Sequence, residues 1–207
     1  MMIDDLFYFS EKILSDSEID TIKNYILENE QYIKQLGPDE YGGTSEDSLT
    51  GRHMFFNYLH TQTIGDDILL PKLKKIIKQL NAEPPVIIQC WANIFRNGEG
   101  ISIHRHGNMR QKFFSGNLFI CGNTEPGTTY YKGDYYDGVP VDIENEPGVL
   151  NIFPSENLHG VKENHINETR ISMALDIIPF TDSNHYKKLD MIYQKQPRRY
   201  IKLYSLD

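Results

Sequence analysis

Apolar residues recur at Ile19, Ile22, Tyr25, Ile26 and Ile33 within SDSEIDTIKNYILENEQYIKQL. This three-and-four spacing predicts an amphipathic helix opened by a Ser/Asp cap. Residues 37 to 53, GPDEYGGTSEDSLTGRH, are polar and glycine-rich and predict a long loop. A second helical pattern covers 66 to 80, DDILLPKLKKIIKQL, with Pro71 near its first turn and AEPPV ending it. From residue 86 the period shortens. VIIQCWANIF, GISIHRH, FFSGNLFICG, TTYYKG, VDIEN, GVLNIFP, HGVKEN and TRISMALDIIPF are β-type runs separated by Gly, Pro and Asn. Eight strands at this spacing predict a mainly β (α+β) fold, a β-sandwich or jelly roll, with both helices packed outside one sheet. The expected layout is one domain: a helical support region over 1 to 85, a β core over 86 to 180, and a tail over 181 to 207.

The alternation also sorts side chains by face. In TRISMALDI, Arg170, Ser172, Ala174 and Asp176 share one face of a strand, and Ile171, Met173, Leu175 and Ile177 the other. In GISIHRHGNM, His104 and His106 stand two apart after an alternating run. On a continuing strand both imidazoles point one way while Arg105 turns aside, so the pair can share a metal. The plainer alternative is a polar strand end whose rings meet water. GVLNIFPSENLHGV returns the chain about 50 residues later with His159, and Arg170 follows eleven residues after that.

Composition narrows the function classes. The chain has 207 residues, 39% hydrophobic and 24% charged, as a soluble globular protein does. No window approaches the roughly 18 apolar residues of a membrane span. The opening MMIDDLFYFSEK is acidic where a secretory signal is basic, and is read as mature sequence. A net charge of −8 opposes phosphate-backbone binding, so no nucleic-acid partner is expected. The locally basic KKLDMIYQKQPRRYIKLY is read as a strand or wrap-around tail with snorkelling cations. Two cysteines, Cys90 and Cys121, fit reduced thiols in a cytoplasmic protein, with a single bridge left open. Neither a Walker-type loop nor a Rossmann glycine signature is present. The acidic GDYYDGVPVDIENEPG lacks EF-hand spacing and reads as a loop or short hairpin over the barrel that would set substrate choice.

Taken in order, WANIF from Trp91, IHRH from Ile103, SGNLF from Ser115, PGVLNIFPS from Pro147, HGV from His159 and RIS from Arg170 resemble the Fe(II)- and 2-oxoglutarate-dependent oxygenases. The likeness is to small bacterial and viral members whose first motif reads HxH, and it covers roughly residues 86 to 180. It implies a double-stranded β-helix, a cupin-like jelly roll. It places metal ligands at His104 and His159, with His106 at the intervening position. It makes Arg170 the cosubstrate arginine and Ser172 its hydrogen-bonding neighbour. It further implies Fe(II) as cofactor, with 2-oxoglutarate, dioxygen and an unidentified substrate as partners. The implied reaction is hydroxylation of a C–H bond of a protein side chain, amino acid or small metabolite, with 2-oxoglutarate split to succinate and carbon dioxide.

The residue types suit that chemistry. Imidazoles suit Fe(II), and open positions accept a bidentate 2-oxo acid. A guanidinium fork matches the far carboxylate. Asn93 would face cosubstrate or substrate, with a plain sheet hydrogen bond as the alternative. Tyr130 and Tyr131 would line the pocket or stack in the core, and the same alternation would turn Asn151 toward the interior. His53 fits a lid or a solvated loop, and His60, His165 and His185 read as solvated. The departure from the family is His106, where most members carry Asp or Glu. It leaves open a three-histidine zinc hydrolase, a cupin-like dioxygenase that needs no 2-oxo acid, and a non-catalytic jelly-roll binding module. Arg170 discriminates, because a hydrolase has no stated need for it. A homodimer is compatible with the sequence.

Overall fold

Helix α1 (Asp16–Lys34) begins at a reciprocal cap. Ser15 Oγ accepts from the Glu18 N–H at 3.3 Å, and the Glu18 carboxylate accepts from the Ser15 N–H at 2.8 Å. The face it buries carries Ile19, Ile22, Ile26 and Ile33. The second helical segment starts earlier than its apolar pattern. The Thr61 hydroxyl caps Ile64 and Gly65, a π-helical turn runs over Gln62–Leu69, and α2 (Leu70–Gln79) continues it. Pro71 occupies the first turn of α2, where a missing N–H costs little. The computed structural model describes residues 6–37, 49–106, 113–124, 127–132, 138–180, 191 and 194–207.

The strands are β1 (Phe9–Lys12), β2 (Val86–Phe95), β3 (Ile101–His104), β4 (Phe114–Cys121), β5 (Thr128–Lys132), β6 (Val139–Ile143), β7 (Val149–Pro154), β8 (His159–Val161), β9 (Arg170–Pro179) and β10 (Ile201–Leu203). They form two antiparallel sheets, a six-stranded one in the order β1-β7-β4-β9-β2-β10 and a four-stranded one in the order β3-β8-β5-β6. Outward residues of the large sheet, among them Ile88, Ala92, Leu118, Ile152, Met173 and Leu175, join the buried faces of α1 and α2 in one apolar cluster. Each of the leucine, isoleucine and methionine side chains contributes about 1.5–3 kcal/mol on burial. The main core therefore lies between the large sheet and the helices. The inner face of that sheet mixes polar residues such as Asn93, Ser115, Arg170, Ser172 and Asp176 with the aromatic Trp91, Phe95, Phe119 and Phe153.

A smaller cluster of Leu6, Tyr130 and Phe153 ties the two sheets together, the Tyr130 and Phe153 rings meeting edge to face at 5.0 Å. Gly122 has φ +105°, and a Cβ there would lie 2.5 Å from the Arg170 Cα, so the turn after β4 admits no larger residue. At the other end, β10 lies on the edge of the sheet beside β2. Lys202 sits 5.2 Å over the Phe180 ring and 5.0 Å over that of Tyr204. Cys90 is buried and Cys121 half-buried, and both are free thiols. Among the described residues no helix is long and apolar enough to cross a membrane.

Candidate metal centre

Three cross-strand neighbours form a row on the small sheet. His104 stands opposite His159 across β3 and β8, and His159 opposite Tyr130 across β8 and β5. Directly opposed residues project from the same face, so His104, His159 and Tyr130 all point inward. The His104 and His159 rings are 4.4 Å apart, and Tyr130 stacks on His159 at 6.0 Å. His106 arrives differently from the expected strand face. Strand β3 ends at His104, the chain bends, and the His106 N–H donates to the Ser155 carbonyl at 3.1 Å. The bend still turns its ring inward, 5.3 Å from His104 and 5.0 Å from His159, while Arg105 is exposed. One ring nitrogen from each of the three histidines lies within 4.8 Å of the others, close enough to hold one metal ion.

The ring protons have defined places. His104 Nδ1 lies 2.8 Å from the Ser102 carbonyl and His159 Nδ1 3.0 Å from the Asn157 carbonyl. A carbonyl oxygen only accepts, so both Nδ1 atoms are donors and each Nε2 keeps its lone pair. His106 Nδ1 meets the Asp176 carboxylate at 2.7 Å. Ser115 Oγ donates to the same Asp176 oxygen at 2.8 Å. Burial, reinforced by neighbouring His106, lowers the His104 pKa to about 4. Burial also holds His159 well below its ordinary value. Both rings are neutral at pH 7, the form that binds a metal.

Deeper between the sheets lies Arg170, 1% exposed. Its guanidinium sits between the Phe95 and Phe119 rings, 5.7 and 5.5 Å from their centroids, and Nη2 donates to Thr128 Oγ1 at 3.3 Å. Nε and Nη1 have no hydrogen-bond partner among the described residues. Burial pulls this guanidinium down to about 10. The Tyr130 hydroxyl lies near the amides of Asn117 and Asn151 and near Arg170, with no well-formed hydrogen bond among the described residues. Burial pushes its pKa up, so it remains a donor. Ser172 is buried opposite Asn93 on the inner face, and Asn93 accepts from Thr50 Oγ1 at 2.7 Å.

The other expectations divide. Tyr131 is half-buried, whereas Tyr130 is fully buried. Asn151 is buried and accepts from Ser10 Oγ at 2.6 Å. His53 stacks 5.5 Å from Trp91, which in turn lies 5.3 Å from His106, so it belongs to the surroundings of the centre. His60 and His165 are exposed. His185, residues 133–137 of the acidic stretch and residues 38–48 of the glycine-rich loop lie outside the described residues.

No protein-family model and no curated protein matches this sequence. The structure is similar to a prolyl-4-hydroxylase from Pseudomonas putida, with 14% identity and TM-score 0.59 over 85% of this chain and 95% of that one. It is similar to SnoK, a non-heme alpha-ketoglutarate-dependent carbocyclase from nogalamycin biosynthesis, with 12% identity and TM-score 0.61 over 89% and 87%. It is also similar to CytC3 with Fe(II) and alpha-ketoglutarate, with 15% identity and TM-score 0.54 over 84% and 72%. The chain has the fold of the Fe(II)/2-oxoglutarate-dependent oxygenases. At such identities this oxygenase fold describes the backbone path, and the roles of side chains rest on the geometry above. Within it, three residues near the site carried no sequence signal strong enough to assign: Asp176, Ser115 and Thr128. Asp176 had half of one, a carboxylate on the same strand face as Arg170.

Proposed function

We propose that this protein is a non-haem Fe(II)- and 2-oxoglutarate-dependent dioxygenase of the hydroxylating kind, built on a double-stranded β-helix. The observation that carries the reading is Arg170, a fully buried guanidinium whose Nε and Nη1 have no hydrogen-bond partner among the described residues, beside the buried Tyr130 hydroxyl. A buried cation without a counter-charge is costly, and a carboxylate reaching it satisfies both Arg170 and Tyr130. The ring of Tyr130 stacks on His159, so this anion pocket and the three-histidine cluster are neighbours. A dicarboxylate with a metal-chelating 2-oxo acid at its other end fits that pair of sites.

In this reading His104, His106 and His159 hold Fe(II), a metal suited to imidazole donors. When bound, it supplies the redox chemistry that couples 2-oxoglutarate and dioxygen to oxidation of a C–H bond, in a protein side chain, an amino acid or a small metabolite. The chain supplies position. Arg170 and Tyr130 orient the distal carboxylate, Thr128 holds Nη2, and Ser172 and Asn93 line the inner face between the flanking strands. Burial of all five keeps water from competing for these donors. The structures it resembles support the reading: CytC3 was seen with Fe(II) and alpha-ketoglutarate, and SnoN with Fe3+ and alpha-ketoglutarate.

Calorimetric titration of 2-oxoglutarate into protein loaded with Mn(II) or, anaerobically, Fe(II) tests it. Binding should require the metal, and Arg170→Lys, which keeps the charge but loses the planar fork, should weaken it about tenfold to a hundredfold. Binding that ignores both the metal and Arg170 would sink the assignment.

A further inference from the structure

The three histidines differ in what stands behind them. His104 and His159 each donate Nδ1–H to a backbone carbonyl, a neutral acceptor. Among the described residues only His106 is backed by a carboxylate, Asp176, at 2.7 Å. Asp176 is itself buried, in a strand whose neighbours on the same face are Ser115 on one side and Gln89 on the other. Among the described residues its hydrogen-bond partners are His106 Nδ1 and the Ser115 hydroxyl, and no described lysine or arginine forms an ion pair with it. A carboxylate removed from water in this way calls for a positive charge. A divalent ion on Nε2 of His106 provides one across the ring.

We propose that Asp176 is a positioning and charge-compensating residue of the metal centre: it holds His106 with Nε2 toward the metal and supplies, one hydrogen bond behind the ring, the negative charge that an Asp or Glu ligand would bring directly. This rests on the reading that the three histidines hold a divalent metal. It accounts for the departure at position 106, because the carboxylate has moved from the ligand position to the position behind the ligand. A carboxylate accepting from Nδ1 fixes the tautomer and makes the imidazole a stronger donor. Ser115 fixes the carboxylate in turn.

Asp176→Asn separates charge from shape, since the amide oxygen still accepts from Nδ1. Competition with a chromophoric chelator for Co(II), and anaerobically for Fe(II), should show metal affinity falling about tenfold to a hundredfold. 2-Oxoglutarate binding to the metal-saturated variant should hold or tighten, because the centre has lost a negative charge that opposed the dianion. In His106→Asp/Asp176→Asn the carboxylate stands at the ligand position itself, and metal affinity should recover. Wild-type metal affinity in Asp176→Asn overturns the proposal. So does a parallel loss of metal and 2-oxoglutarate binding with no recovery in the double variant, which marks a merely structural role. Failure of the unmodified protein to bind any divalent metal overturns the three-histidine reading itself, and the proposal with it. Should Asp176→Asn not fold, NMR of the unmodified Zn(II)-loaded protein decides. The His106 Nδ1 proton should resonate farther downfield than those of His104 and His159, and equal shifts for all three refute the charge-assisted bond.

Discussion

Replacing Arg170 with Met should leave the metal-free protein about as stable as before and, at the same time, unresponsive to 2-oxoglutarate. Burial draws the guanidinium down from its ordinary value to about 10. A difference of this size corresponds to about 3 kcal/mol of destabilisation at pH 7, where the group is charged both folded and unfolded. The cost persists through the neutral range and declines only as pH rises above about 10. Against it stand the Phe95 and Phe119 rings at 5.7 and 5.5 Å, worth about 1 kcal/mol each, and one 3.3 Å hydrogen bond to Thr128. Methionine keeps the apolar contacts of the stem and removes the unpartnered Nε and Nη1. These contributions nearly cancel, so the variant should be about as stable as the unmodified protein, its melting temperature within a few degrees at about 2–4 °C per kcal/mol for a chain of this size. The unmodified protein loaded with Mn(II) should gain about 2.7 kcal/mol from 2-oxoglutarate at a hundred times its Kd, and the variant nothing. Differential scanning calorimetry with and without the cosubstrate measures both effects. A variant less stable by more than about 2 kcal/mol, or one that keeps its 2-oxoglutarate shift, would refute the view that Arg170 is held ready for an absent anion.

His106→Ala should lose most of the metal affinity of the unmodified protein, while His106→Asp should retain it; equal chelator competition by His106→Ala and the unmodified protein would remove His106 from the coordination set. The metal-free protein should weaken in acid. The folded pKa of His104 is depressed to about 4, so the unfolded chain takes up the proton first, and stability that is complete above about 6.5 is lost as pH falls toward 4, by up to about 3 kcal/mol from this residue. His159 acts in the same direction, and urea midpoints that stay constant from pH 7 to pH 4.5 would contradict this. Gly122→Ala should cost about 2 kcal/mol or more, because its φ of +105° and the 2.5 Å approach to Arg170 leave no room for a Cβ; an unchanged urea midpoint would show that the turn relaxes.

Much of this arrangement was legible along the chain where the period was regular. The polar positions 170, 172 and 176 of β9 face the interior because a strand of ten residues allows no ambiguity of parity. Strand β1, of four residues, was not among the expected runs, and β10, of three, was expected only as one of two readings of the basic tail; segments so short show no period and are recruited by the edges of a sheet assembled from distant residues. The helical segment from Gln62 begins at a hydroxyl cap on Thr61, a contact that the apolar pattern does not encode. His106 illustrates a different limit. Two residues of spacing look alike on a strand and on a bend, and only the Ser155 carbonyl, 49 positions away, shows which one the chain adopts. Asp176 was visible as a face but not as a partner, since a pair separated by 70 residues exists only once the sheets meet.

The most direct test of the central claim is an anaerobic optical titration of the purified protein with Fe(II) and 2-oxoglutarate, with no substrate required. A weak visible charge-transfer band should grow only when both are present, saturate at one iron per chain, and vanish in His159→Ala. No band under conditions where the protein is folded, or a band that survives His159→Ala unchanged, would contradict a chelate of 2-oxoglutarate on iron at the three histidines.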